Sequence, residues 1–226
     1  MSHGPGNVHE MAEPLRRAVA ADLRPVRPLP PPWQRVLWAL PVAVVICGGT
    51  FMYFGIRSDA GDLGPLLAWA PVGMQVALGL ALLVMALHEA VPGLRLPRGV
   101  AVGCVVAALA IHLTVNLLIW TRHPLGYASF LRSWWPCFSY ELMLGVPFLA
   151  LITYLAVRAL PMQPRVIGLL AGLGGGLIAD ASWRMVCPVS VPSHFLTAHL
   201  GSVLALGAAG YGLGLWIEVR RRRAAA

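Results

Sequence analysis

Six long apolar runs decide most of what this chain can become. Within a few residues they extend over Val36 to Ile56, Leu66 to Leu87, Gly99 to Trp120, Cys137 to Val157, Val166 to Met185 and His194 to Ile217. A helix needs roughly 20 apolar residues to cross a hydrocarbon core about 30 Å thick, and each run meets or approaches that length. Their interiors follow no period of two, and backbone amides in lipid must be bonded within a helix or a closed barrel. The expected fold is all-α: a polytopic membrane protein with six transmembrane helices. Composition agrees, since 58% of the 226 residues are hydrophobic and only 12% charged, where soluble domains carry about a quarter.

Residues 1–35 hold no apolar stretch of the kind a cleaved signal peptide needs, so the first run is expected to act as an uncleaved anchor. The 17 basic residues are all arginine. With a cytoplasmic N-terminus, Arg16, Arg17, Arg24, Arg27, Arg35, Arg95, Arg98, Arg158, Arg165 and Arg220 to Arg223 fall inside. Only Arg57, Arg122, Arg132 and Arg184 fall outside. This asymmetry places both termini in the cytoplasm. The net charge of +8 follows from that topology and from contact with anionic lipid. Direct binding to nucleic acid is not needed to explain it, because no basic patch is interleaved with aromatics. The absence of lysine points to a GC-rich bacterial genome, and hence to a bacterial inner membrane.

Three segments are expected: a cytoplasmic N-terminal part over residues 1–35, a membrane domain over 36–219, and a basic tail over 220–226. Within the first, residues 14–23 read as a short helix, with Pro14 tolerated in its first turn. Leu15, Val19 and Leu23 form a stripe at four-residue spacing, with Arg16, Arg17 and Asp22 elsewhere. Such a helix is marginal alone in water, so it lies on lipid or docks on a partner. Residues 24–33 follow as a linker with five prolines between Pro25 and Pro32, a density that favours a semi-rigid polyproline spacer. In the membrane domain, Gly168, Gly172 and Gly176, and again Gly210 and Gly214, have the four-residue spacing that lets helices approach closely.

Charges inside a membrane are costly and face the bundle interior. Here they are Glu141, Asp180 and Arg184. Cys137 and Glu141 share one helical face, and Asp180, Arg184 and Cys187 share another, both near the same end of the bundle. Asp180 and Arg184 can neutralise each other, with Glu141 competing for the arginine. Cys47 and Cys104 lie inside apolar runs and read as packing residues. Cys137 and Cys187 face an oxidising compartment, and three readings are open for them: a structural disulfide, a redox-switchable pair, or a soft-metal site. His194 and His199 are the nearest further ligands, but on a straight helix they point roughly 140° apart and could not both hold one ion unless His194 precedes the helix. His112 and Asn116 share a face and are expected to hydrogen-bond across helices.

With the absence of a C-x-x-C pair arguing against thiol oxidoreduction, the residues alone leave a small-solute or metal transporter built on Glu141, Asp180 and Arg184 as one possible function. A more specific reading comes from the sequence Ala20-Ala-Asp-Leu-Arg-Pro-Val-Arg-Pro-Leu-Pro-Pro-Pro-Trp33, the six runs, Trp135-Pro-Cys137 and Cys187-Pro-Val-Ser-Val-Pro-Ser-His194. Together these resemble the NrsF family, negative regulators of sigma factor F, over about Leu15 to Arg220. The chain departs from it in a longer, histidine-containing extension, Met1 to Glu13. The resemblance implies an inner-membrane anti-sigma factor without enzymatic activity or cofactor, partnered by an extracytoplasmic-function sigma factor. It also implies that Cys137 and Cys187 answer to heavy-metal or oxidative stress. On this reading Leu15, Val19 and Leu23, flanked by Arg16, Arg17, Arg24 and Arg27, lay an apolar stripe into a groove of the sigma factor.

Overall fold

The computed structural model describes residues 13–22, 29–94, 96–122, 130–159, 161–189 and 191–225. It divides between Pro30 and Pro31 into two units. Among its described residues the first contains one helix, α1 (Glu13–Asp22), close to the expected 14–23. Leu23, Arg24 and Arg27 lie outside the described residues, as do the side chains of Leu15, Arg16 and Val19; Arg17 is exposed.

The second unit is all helix and turn among its described residues. It runs through α2 (Pro32–Val36), α3 (Ala39–Phe54), α4 (Ala60–Glu89), α5 (Arg98–Arg122), α6 (Phe130–Val157), α7 (Pro164–Arg184), α8 (Pro192–His194) and α9 (Leu200–Ala225). A single π-helical turn, Phe195–His199, joins α8 to α9. Six spans, Pro32–Phe54, Ala60–Glu89, Arg98–Thr121, Trp134–Val157, Pro164–Arg184 and Pro192–Ala224, are long and apolar enough to cross a membrane.

These spans overlap the six apolar runs, with differences at the ends. The first starts at Pro32 rather than Val36, because a proline in the first turn is already held at helical φ. The second begins at Ala60, but Gly64 interrupts it at φ 70°, ψ 165°. A residue before proline is driven out of the helical region, and only glycine takes that positive φ without strain, so the straight part starts at Pro65. At the other end α9 continues through the expected tail, carrying Arg220 to Arg223 as helix.

Helix α7 is the post around which the others stand. Its span is 89% buried, against 22–39% for the rest. Glycines make this possible by presenting bare backbone on three sides. A Cβ at Gly174 would lie 2.8 Å from the Gly79 carbonyl oxygen of α4, one at Gly175 would lie 2.8 Å from Phe148 Cβ of α6, and one at Gly176 would lie 2.9 Å from Val203 Cα of α9. Further along α9, Gly168 meets Gly210, Gly172 meets Leu206 and Gly207, and Gly214 meets Pro164 and Arg165, closer still. The expected close approach of the glycine-spaced helices is therefore present, and it is α7 against α9. Ile167, Leu170, Leu177 and Ile178 fill the remaining faces, against Leu83 and Leu87 of α4 and Phe148 and Ile152 of α6.

At the end of the bundle where α3 and α7 finish, a buried loop pair locks two connections together. Arg57 donates from its backbone N–H to Met185 O at 2.8 Å and from its guanidinium to both oxygens of Asp59, at 2.6 and 2.8 Å. Removing one partner of such a pair strands the other charge. Asp59→Ala is expected to destabilise the protein by about 3–5 kcal/mol, a loss that thermal unfolding in detergent would register. A variant melting like the parent would mean the loop carries no stabilising ion pair.

Candidate functional site

The same end of the bundle holds two adjoining groups of polar side chains. The first turns of α6 supply Cys137. The end of α7 supplies Cys187, whose backbone N–H donates to Trp183 O at 2.9 Å and so closes the helix. Helix α8 supplies His194. The cysteines are free and buried, with Sγ atoms 3.8 Å apart and His194 Nε2 3.5 Å from Cys187 Sγ. Around them Trp183 stacks on Tyr140 at 4.7 Å and meets the edge of Phe54 at 5.0 Å, an apolar wall that limits water. The hydrogen bond that the Cys187 thiol shares with Cys137, as donor when Cys137 is ionised, and burial push it above its ordinary pKa, while His194 and His199 pull it back.

Four residues further along α6, one helical turn deeper, Glu141 shares the Cys137 face. Asp180 faces it from α7. Between them lies His199, with Nδ1 2.5 Å from Glu141 Oε1 and 2.7 Å from Asp180 Oδ1. Ser202 of α9 donates its hydroxyl to Glu141 Oε2. Gln75 of α4 donates to Asp180 Oδ2 at 2.8 Å and pairs with His112 Nδ1 of α5 at 2.7 Å. Thr50 of α3 accepts from Ser182 at 2.9 Å. Every span therefore contributes a side chain to this end of the bundle.

The expected grouping of Cys137, Glu141, Asp180, Arg184 and Cys187 is present, with changed partners. Arg184 Nε stands 3.9 Å from Asp180 Oδ2, at the outer limit of an ion pair, and its guanidinium lies 5.7 Å from the Phe195 ring centroid. Glu141 does not compete for that arginine; its partners are His199 and Ser202. The two histidines fall into different groups. Helical-wheel arithmetic separates His194 from His199, but the π turn widens the helix by one residue and brings their rings to 5.0 Å. His194 then faces the thiols and His199 the carboxylates. Asn116, expected to bond across helices, instead donates within its own, to His112 O at 2.7 Å; His112 does bond across, to Gln75. Gln75 and Ser202 join the site without having been expected there. The signal for Gln75 is present in the sequence, a lone amide in the apolar stretch Gly73-Met-Gln-Val-Ala77.

The thiol–imidazole spacing has a chemical meaning. Metal–sulfur bonds of about 2.3 Å and metal–nitrogen bonds of about 2.0–2.1 Å, held at a tetrahedral angle, put sulfurs about 3.8 Å apart and sulfur and nitrogen about 3.5 Å apart. Cys187 already stands at those separations from Cys137 and from His194, and the three ligating atoms lie within 4.8 Å of one another. The donor set suits soft and borderline ions. No curated protein and no solved structure matches the chain. The family model described as NrsF, negative regulator of sigma F, matches residues 19–217, most of its length, and the chain belongs to that family.

Proposed function

We propose that this chain is a bacterial inner-membrane anti-sigma factor that holds an extracytoplasmic-function sigma factor through residues 1–35 and releases it when Cys137 and Cys187 capture a heavy-metal ion or are oxidised. Family membership supports the sigma-factor half and favours regulation over transport. The observation that carries the sensing half is the pair of buried free thiols with an imidazole beside them. The arginine asymmetry supports a topology with both termini inside and the thiols on the periplasmic side. The apolar stripe Leu15, Val19 and Leu23, with Arg16, Arg17, Arg24 and Arg27 around it, is the binding surface on this reading.

A metal ion that draws Cys137, Cys187 and His194 together ties the start of α6 to the end of α7 and to α8. Oxidation ties the first two directly. Either event changes the packing of α6 on α7, and the opposite ends of these helices lie on the side assigned to residues 1–35. The test is co-purification from native cells in detergent, with and without residues 1–35, followed by mass spectrometry. A sigma factor is expected with the full-length protein alone. Its absence from both samples would overturn the anti-sigma reading, and its presence in both would remove residues 1–35 from the binding role.

A further inference from the structure

The thiols and His194 are one donor set; Glu141, Asp180 and His199 are a second, of different chemistry. The hydrogen bond of His199 Nδ1 goes to Asp180 Oδ1, and Glu141 Oε1 stands beside the same nitrogen at 2.5 Å without a hydrogen bond of its own. A ring nitrogen carries one hydrogen at most, so Nδ1 cannot serve both carboxylates at once. Two carboxylates and an imidazole thus converge on a point that one proton satisfies incompletely. All three residues are fully buried.

The surroundings are under-satisfied as well. Among the described residues, Gln75 Oε1, His112 Nε2, Glu141 Oε1, Arg184 Nε and Nη2, and His199 Nε2 are buried without a hydrogen-bond partner. Native interiors leave few such atoms, and a concentration of them in one place is the mark of a bound ion or ordered water. The remaining contacts orient the donors: the Ser202 hydroxyl fixes Glu141 Oε2, and the Gln75 amide fixes Asp180 Oδ2. Partners of this kind, behind the ligating atoms, hold metal ligands in place.

We propose that Glu141, Asp180 and His199 form a second cation site, for a borderline divalent ion such as Zn2+ or Co2+, adjacent to the thiol triad and chemically distinct from it. Oxygen and nitrogen donors suit such ions, whereas thiolates select softer ones. Bonds of about 2.0–2.2 Å held at a tetrahedral angle place neighbouring ligands about 3.4 Å apart. The observed 2.5 and 2.7 Å open to this when the three side chains rotate outward around the ion. The ion takes the place of the proton on Nδ1. Asp180 lies four residues from the end of α7, so the site is one helical turn from the loop that carries Cys187. The site stands whether or not the chain binds a sigma factor.

Co2+ is the probe, because its charge-transfer band reports thiolate ligation and its weaker visible bands report oxygen and nitrogen. Full-length protein in detergent is dialysed against Co2+ as wild type, as Cys137→Ser/Cys187→Ser, as Glu141→Gln and as Asp180→Asn. Wild type is expected to bind two equivalents, one with the thiolate band. The double serine variant should keep one equivalent without that band. Glu141→Gln and Asp180→Asn should keep the thiolate equivalent and lose the other, with its affinity falling at least about tenfold. The proposal is overturned if the double serine variant binds none while wild type binds only the thiolate equivalent. It is equally overturned if both carboxylate variants bind Co2+ as wild type does.

Discussion

Gly168→Ala lowers the apparent melting temperature in detergent by about 5–10 °C, the shift that about 3 kcal/mol produces in a chain of this size. The cause is steric and local. The added methyl would occupy the place of the Gly210 carbonyl of α9, a backbone atom with no rotamer to yield. Helices α7 and α9 must then part along the whole glycine seam, and overpacking of this kind costs about 1–3 kcal/mol or somewhat more. Lipid supplies no hydrophobic force between helices, so close packing of the two backbones is what holds them together, and a small separation forfeits much of that attraction. Gly48→Ala is the matched control. A Cβ there meets nothing within 4 Å, and alanine is the better helix former, so that variant should melt at or slightly above the parent temperature. Equal melting of the two variants would mean that α7 and α9 do not touch through their glycines.

Cys137→Ser and Cys187→Ser are each expected to abolish the stress response, reducing the ratio of induced to uninduced sigma-dependent transcription to about one, because the ligand set fails as a unit. Serine preserves the volume and removes both the soft ligand and the redox chemistry, so α6 and α7 keep their packing. In the purified protein the affinity for Cd2+ should drop at least about a hundredfold for either serine and at least about tenfold for His194→Ala. The affinity of the wild type should also depend on pH. A thiol held above its ordinary pKa is protonated at neutrality and must release that proton to the solution when metal binds. Affinity for Cd2+ therefore rises with pH, by about tenfold per unit for Cys187 until its raised pKa is passed. Single serine variants that still release the sigma factor under cadmium or oxidant would remove these thiols from the sensing role.

The spans can be read from the sequence because an apolar run long enough to cross lipid has few other fates. The seam between α7 and α9 is visible in Gly168, Gly172, Gly176, Gly210 and Gly214, although nothing in their spacing says which helices they join. Cys137 and Cys187 can be paired in advance, since both lie where an apolar run meets a loop on one side. The partners of Glu141 and Asp180 cannot. Wheel arithmetic assumes 3.6 residues per turn, and the π turn at Phe195–His199 breaks that assumption where His194 and His199 are aimed. Charge pairing by proximity in sequence favours Arg184, four residues from Asp180. The fold instead selects His199, 19 residues away, because α9 packs against α7 at its glycines and so delivers the π turn before it between the two carboxylates.

The burial of α7 has a consequence for how the chain is made. This span has the lowest hydropathy of the six and carries Asp180 and Arg184, so a translocon offering it alone to lipid would find a poor substrate. Its glycines supply little apolar surface until α4, α6 and α9 cover them. Helix α7 is therefore expected to enter the bilayer with its neighbours and to be fully covered only once α9 has been made. A chain cut short before α9 should leave that charged helix half-wrapped, with Gly168, Gly172 and Gly176 uncovered.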